Sequence, residues 1–188
     1  MYVIGCSTGL RYSDVVRLTP QNVVGDSLIA DITKTEGAQL RIPLNEISSH
    51  FLNKQFSKYG RVKEISNQKL NAVLTGLTNP EKPDELPEGG LFRFISEEHS
   101  AHPFSDMVIK LERYGNRTVS KKIPKWLALS FHSSRKYFIS YLVNVARVDI
   151  GNVMAWSGHT NLQTVNSYIE RGQRQKEVMQ EAFKRKKE

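Results

Sequence analysis

The chain has 188 residues, 39% hydrophobic and 24% charged, with a formal net charge of +8 and one cysteine, Cys6. That length carries one sizeable core and not comfortably two, the lone cysteine excludes a disulfide framework, and no apolar run approaches the roughly 20 residues of a membrane span. No secretory signal opens the chain, and the basic balance favours a polyanionic partner, nucleic acid first.

The segment Met1 to Ser7 starts in mid-pattern as an apolar helix, and Gly9 fits its C-terminus. Arg11 then sits in a short connection, Thr8-Gly9-Leu10-Arg11-Tyr12-Ser13-Asp14, with Ser13 as the expected cap of a second helix that carries Val15, Val16 and Leu18. Thr19-Pro20 ends it. From Asn22 the pattern changes to strands: Val23-Val24, a Gly25-Asp26 turn, Ser27 to Ile32, a tip at Lys34-Thr35-Glu36-Gly37, and a return over Gln39 to Leu44. Leu28, Ala30 and Ile32 share one face, and Lys34 rides on the hairpin tip.

Two helices follow. Asn45 to Tyr59 turns Ile47, Phe51, Leu52 and Phe56 inward, and Ser66 to Leu77 turns Leu70, Val73, Leu74 and Leu77 inward. Residues 78–90 have a loop composition of Pro, Glu, Lys and Gly. His99 and His102 have no cysteine or well-spaced carboxylate beside them, so no metal site is expected there. Val108 to Arg113 and Arg117 to Ile123 flank Tyr114-Gly115-Asn116 as a short basic hairpin.

The stretch Ser130 to Phe138 reads as the start of a central helix whose buried stripe is Phe131, Phe138, Tyr141, Leu142 and Val145. His132 and Arg135, three apart, leave one face. An arginine offers a planar fork of donors that suits a phosphate, and a histidine can move a proton near neutral pH. Asp149 to Trp156 is a further short helix, stopped by Gly158, with His159 in the turn. Thr160 followed by Gln163 has the form of a capping box. The helix it would open buries Leu162, Val165 and Ile169, with Tyr168 beside that stripe. The tail from Arg171 is highly charged, with a thin apolar edge of Val178, Met179, Ala182 and Phe183.

Taken in order, Thr8 to Asp14, the hairpin Thr33-Lys34-Thr35, His132-x-x-Arg135, Ser157-Gly158-His159 and Tyr168 nine residues after His159 form one pattern. It resembles the catalytic domain of tyrosine recombinases, the phage and mobile-element integrases. Ile65 to Asn71 and the hairpin before His132 are similar to integrases of mobile elements in Bacteroides-type bacteria. The resemblance implies an α+β fold, mainly α-helical, with a small antiparallel sheet at one edge and a second short hairpin. It implies a catalytic domain over residues 1–170 and a charged tail, 171–188, that docks in cis or in trans. A DNA-clamping domain and a first catalytic-domain helix are expected ahead of residue 1.

The resemblance also assigns roles. Arg11 and Arg135 would clamp the non-bridging phosphate oxygens, and Tyr168 would be the nucleophile, leaving a 3′-phosphotyrosyl link and a free 5′ hydroxyl. His132 would accept the phenolic proton, Lys34 would protonate the departing oxygen, and His159 would hydrogen-bond the phosphate. Asp14 would orient Arg11 or favour its helix N-terminus, and Thr35 and Lys136 are candidate DNA contacts. The partner is double-stranded DNA at a recombination site, with self-association on it as a tetramer in the full-length protein. Neither a membrane, a small-molecule substrate nor a cofactor is called for, and the expected place of work is the bacterial cytoplasm, on the nucleoid. The competing readings are a non-catalytic DNA-binding accessory protein on the same fold, a type IB topoisomerase-like swivelase, and a basic RNA-binding module, for which no aromatic platform motif is visible.

Overall fold

A computed structural model describes residues 1–33, 38–75, 106–115 and 117–168. Lys34, Thr35, the 78–105 stretch, the end of the last helix at Ile169 and the tail lie outside the described residues. The chain divides into two compact units, one of residues 1–63 and 134 onward, the other of residues 64–133. Among the described residues, no helix is long and apolar enough to cross a membrane. The architecture is α+β and mainly helical, with a small antiparallel sheet and a separate two-stranded hairpin.

The first unit opens with α1 (Tyr2–Thr8), ended by Gly9 in the left-handed conformation at φ 68°. A Cβ at Gly9 would stand 2.3 Å from Cδ1 of Phe138, so both the backbone angle and the close ring demand glycine. Next comes α2 (Tyr12–Val15), capped by Arg11 and not by Ser13. The hydroxyl of Ser13 turns to Asp14 instead. Thr19 and Asn22 make a reciprocal cap around the 3-10 turn Pro20–Asn22. The sheet runs β1 (Val23–Val24), β2 (Ser27–Asp31), β3 (Gln39–Pro43), all antiparallel, with Leu28 opposite Ile42 and Ala30 opposite Leu40. These four side chains are buried, which fixes the register, since a one-residue slip would turn them all to water.

After the sheet, α3 (Glu46–Tyr59) is capped by Asn45, whose side chain accepts from the Ser48 amide, and it packs against α1. Leu52 is its buried centre, while Ile47, expected inside, is exposed. The central helix α6 (Phe131–Ser140) does not continue regularly. It passes into a π-helical turn over Tyr141–Val145, closed by the Ala146 amide on the Tyr141 carbonyl. A wider turn rotates the following side chains off the 3.6-residue stripe. Val145 faces out and Val143 is buried, while Tyr141 shares the exposed face of Tyr137 and Ile139 is buried. Tyr137 and Tyr141 stack on the exposed side.

Arg147, at φ 54°, turns the chain into α7 (Ile150–Ser157), where the Asp149 side chain accepts from the Gly151 amide and Gly158 ends the helix at φ 65°. The last described helix is α8 (Leu162–Asn166). Its cap is Asn161, whose side chain accepts from the Gln163 amide, so the expected Thr160 box is displaced by one residue and Leu162 is left exposed. Phe138, Ile139, Val143, Val153 and Val165 form one apolar cluster, with Tyr168 packed on its border.

The second unit holds α4 (Asn67–Thr75), the hairpin of β4 (Met107–Tyr114) and β5 (Arg117–Pro124), and α5 (Lys125–Ala128). Leu70 and Leu74 are buried on α4, whereas Val73 is exposed. Asn71 Oδ1 accepts from the Phe131 amide at 2.7 Å, so a side chain 60 positions away supplies the cap for the start of α6.

The Gly9 contact makes a test. Gly9→Ala meets Phe138 and a disfavoured φ together, so we expect a loss of about 3 kcal/mol and a melting temperature about 6–12 °C lower by circular dichroism. An unchanged melting curve would contradict the packing described.

Candidate active site

Arg135 leaves the middle of α6 and is 3% exposed. Its guanidinium bridges two distant pieces of chain. Nη1 donates to the Gly9 carbonyl at 2.7 Å, and Nη2 donates to the Ser157 carbonyl at 2.6 Å. Both carbonyls stand at helix C-termini, where the last C=O groups lack intrahelical partners and carry partial negative charge. A buried cation is thus hydrogen-bonded by two helix ends and not by a carboxylate. Burial, and Arg11 nearby, lower its pKa to about 10, so it stays charged at neutral pH, while Tyr168 and Asp14 act in the opposite sense.

His159 lies in the turn after α7, its amide bonded to the Met154 carbonyl. Its ring nitrogens are 3.3 and 3.4 Å from Arg135 Nη2. Ser157 Oγ donates its one hydrogen to the Val153 carbonyl, so its 2.8 Å contact with His159 Nδ1 places the ring proton on Nδ1. Burial first, then Arg135 and Arg11, lower the imidazole pKa to about 4. The ring is neutral at pH 7.

Tyr168 follows α8, half-buried. Its amide bonds to the Val165 carbonyl, and its own carbonyl accepts from Asn144 Nδ2 at 2.9 Å, which ties the segment to the π-helical turn. Its ring sits edge-on to His159, centroids 6.5 Å apart. Arg11, half-buried at the cap of α2, is near enough to depress both Arg135 and His159. The first unit therefore collects Arg11, Arg135, His159 and Tyr168 in one neighbourhood.

Asp14 acts on Arg135 from the same unit. His132 is exposed at the start of α6, in the stretch assigned to the second unit, and Lys136 is exposed on the same helix. Lys34 and Thr35 lie outside the described residues. The bonds of Asp14 run to Thr33 and Ser13. Two supporting residues escaped the sequence reading: Gly9, through its carbonyl, and Asn144, through its hold on Tyr168. The glycine was visible as a helix end. Nothing local marks Asn144.

Cys6 is not part of this group. Burial pushes its thiol up to about 11, which suits a core side chain and not a nucleophile. Among the described residues, no group of three or more His, Cys, Asp or Glu side chains could hold a metal ion.

A neutral imidazole lies against one guanidinium and edge-on to a phenol, with a second guanidinium near enough to act on both cation and imidazole. The family model described as Phage integrase family matches residues 1–174. The chain belongs to the phage integrase family.

Among solved structures it is similar to the Tn1549 transposon integrase in complex with transposon right end DNA, at 15% identity and a TM-score of 0.62, covering 95% of this chain and 56% of that one. It is also similar to that integrase in complex with a circular intermediate DNA, at 16% identity and a TM-score of 0.57, covering 90% and 53%. At those identities the likeness is one of fold. The chain spans a little over half the length of these integrase chains. A comparison with curated proteins gave no match.

Two measurements check the electrostatics. The His159 ring should titrate by NMR near pH 4, against the ordinary 6.5. Its folded pKa is the lower one, so the unfolded chain takes the proton first. The contribution to stability is complete above about pH 6.5 and declines as pH falls toward 4; a midpoint near 6.5 would contradict the contact. Arg135→Ala strands two carbonyls and opens a cavity, so urea melts should show a loss of about 2–5 kcal/mol. Arg135→Lys should lose less, because it keeps the charge and can reach one carbonyl.

Proposed function

We propose that this chain is the catalytic part of a site-specific DNA recombinase that integrates or excises a mobile element through a 3′-phosphotyrosyl intermediate. The observation that carries the reading is the close grouping of Arg11, Arg135, His159 and Tyr168 in the first unit. Residues 1–170 form the catalytic domain in this reading, and 171–188 form a tail that docks in cis or in trans. The substrate is double-stranded DNA. Self-association on it as a tetramer, and work in the cytoplasm, belong to the same proposal.

In the cleavage step the Tyr168 oxygen attacks the scissile phosphorus. The P–O bond to Tyr168 forms, and the bond to the 5′ oxygen breaks. The phenolic proton passes to His132, and the 5′ oxygen takes a proton from Lys34. A phenol ionises near pH 10, so it needs both a base and nearby positive charge at neutral pH. Arg11 and Arg135 supply that charge and stabilise the two oxygens on which charge gathers. One such fixed donor is worth about 10²–10³ in rate. A guanidinium has five N–H donors. The two carbonyls and Nε2 of the imidazole engage three of those of Arg135 among the described residues, so a phosphate oxygen can take the others.

Burial first, then the two arginines, hold His159 neutral, and an arriving phosphate offsets the arginine repulsion. That favours a proton on Nε2, the form able to donate to a phosphate oxygen. The covalent phosphotyrosyl bond retains the energy of the broken ester, so rejoining is the same chemistry in reverse and needs no cofactor.

The test is incubation with a nicked half-site oligonucleotide, followed by a denaturing gel. The wild type should give a covalent protein–DNA band. Tyr168→Phe should give none while binding the duplex as well as the wild type. A surviving band in Tyr168→Phe would reject the nucleophile, and supercoil relaxation without strand exchange would point to a swivelase.

A further inference from the structure

Tyr168 is carried on little structure of its own. The helix before it, α8, has five residues, and a helix that short does not hold itself together in water. Val165 is its buried anchor, while Leu162 is exposed. The Tyr168 amide continues the turn on the Val165 carbonyl, and the ring lies on the border of the apolar cluster. The Tyr168 carbonyl is then held from 24 positions away, by Asn144 Nδ2 at 2.9 Å.

Asn144 is half-buried, between the buried Val143 and the exposed Val145. An amide nitrogen carries two hydrogens. Those of Asn144 point to the Tyr168 carbonyl and to Ser140 Oγ, 3.1 Å away. A carbonyl can only accept, so the nitrogen of the amide faces it and not the oxygen. The residue belongs to the π-helical turn Tyr141–Val145, which runs on from α6. Arg135 lies nine residues earlier on the same continuous backbone. One element thus carries a phosphate clamp at one point and grips the main chain of the phenol at another.

A tyrosine ring moves about two side-chain torsions, so with its main chain held the hydroxyl sweeps a limited arc. In-line attack needs the oxygen about 3–3.5 Å from phosphorus, and an error of about 1 Å costs about 10²-fold in rate.

We infer that Asn144 is a positioning residue for the nucleophile: by holding the Tyr168 carbonyl it sets the reach of the phenol toward a phosphate bound at Arg11 and Arg135, and it does not act on the phosphate itself. The inference rests on the reading of Tyr168 as the nucleophile.

Two reactions at the same site test it. Cleavage of a nicked half-site oligonucleotide uses Tyr168. Joining uses a 3′ end that already carries a p-nitrophenyl phosphate ester, beside a strand with a free 5′ hydroxyl. There the 5′ oxygen forms its bond to phosphorus, the bond to the nitrophenol oxygen breaks, nitrophenolate departs and the hydroxyl proton passes to water. Tyr168 takes no part in joining, whereas the arginine clamp is needed as before. A variant that damages the site slows both reactions, and one that misplaces only the phenol slows cleavage alone.

Asn144→Ala should cleave about 10²-fold more slowly in a single turnover, while joining the activated ends and binding the half-site like the wild type. Asn144→Leu keeps the approximate size and lacks the donor. It should behave the same way, and it reads the same tie if Asn144→Ala does not fold by circular dichroism. Wild-type cleavage by either folded variant overturns the inference. Equal losses in cleavage and joining also overturn it, because they make Asn144 a brace for the whole site. If the wild type neither forms the covalent band nor joins the activated ends, the recombinase reading falls, and this inference with it.

Discussion

The structure depends on where the charge of one buried guanidinium goes. Removing an ion from water costs several kcal/mol even after relaxation, and the usual remedy is a carboxylate. Arg135 is satisfied instead by the carbonyls of Gly9 and Ser157, at the ends of α1 and α7. Each helix end needs a donor and the cation needs acceptors, so one side chain answers three requirements. The arrangement also leaves the positive charge uncancelled. A carboxylate partner would have neutralised Arg135, whereas carbonyl dipoles hold it in place and leave it able to attract an anion.

That brace sets the geometry around it. Phe138, one turn along α6, closes over Gly9 so tightly that no side chain fits there. The π-helical turn that follows keeps Val143 in the core and lets Asn144 reach the Tyr168 carbonyl. The phenol is therefore carried on a segment tied at its backbone to the helix that carries Arg135. His159 contacts both, held by Ser157 and kept neutral first by burial and then by both arginines.

The local features were legible from the chain alone. Gly9 and Gly158 marked helix ends, Asn45 and Asp149 began helices, and alternation placed Leu28, Ala30, Leu40 and Ile42 in the sheet. Caps failed where two residues competed. Ser13 lost its role because its hydroxyl goes to Asp14, and Thr160 lost to Asn161, whose side chain reaches the Gln163 amide. Val145 was misplaced because a 3.6-residue period assumes a regular helix and no residue there announces a wider turn, and Tyr141 because it shares the exposed face of Tyr137. Arg135 stood out with His132 by helical spacing, whereas Arg11, His159 and Tyr168 were chosen by their resemblance to an integrase pattern. Their support was not readable at all: the Gly9 carbonyl lies 126 positions from Arg135, and such pairings arise only when the chain has folded.

The account is tested most directly by the structure of the protein bound to half-site DNA. It predicts the scissile phosphate with its non-bridging oxygens about 2.7–2.9 Å from the guanidinium nitrogens of Arg11 and Arg135, and the Tyr168 hydroxyl about 3–3.5 Å from phosphorus, in line with the departing 5′ oxygen. A scissile phosphate held by other side chains, with Arg135 still bonded only to its two carbonyls, would show that the buried cation is a structural brace and nothing more.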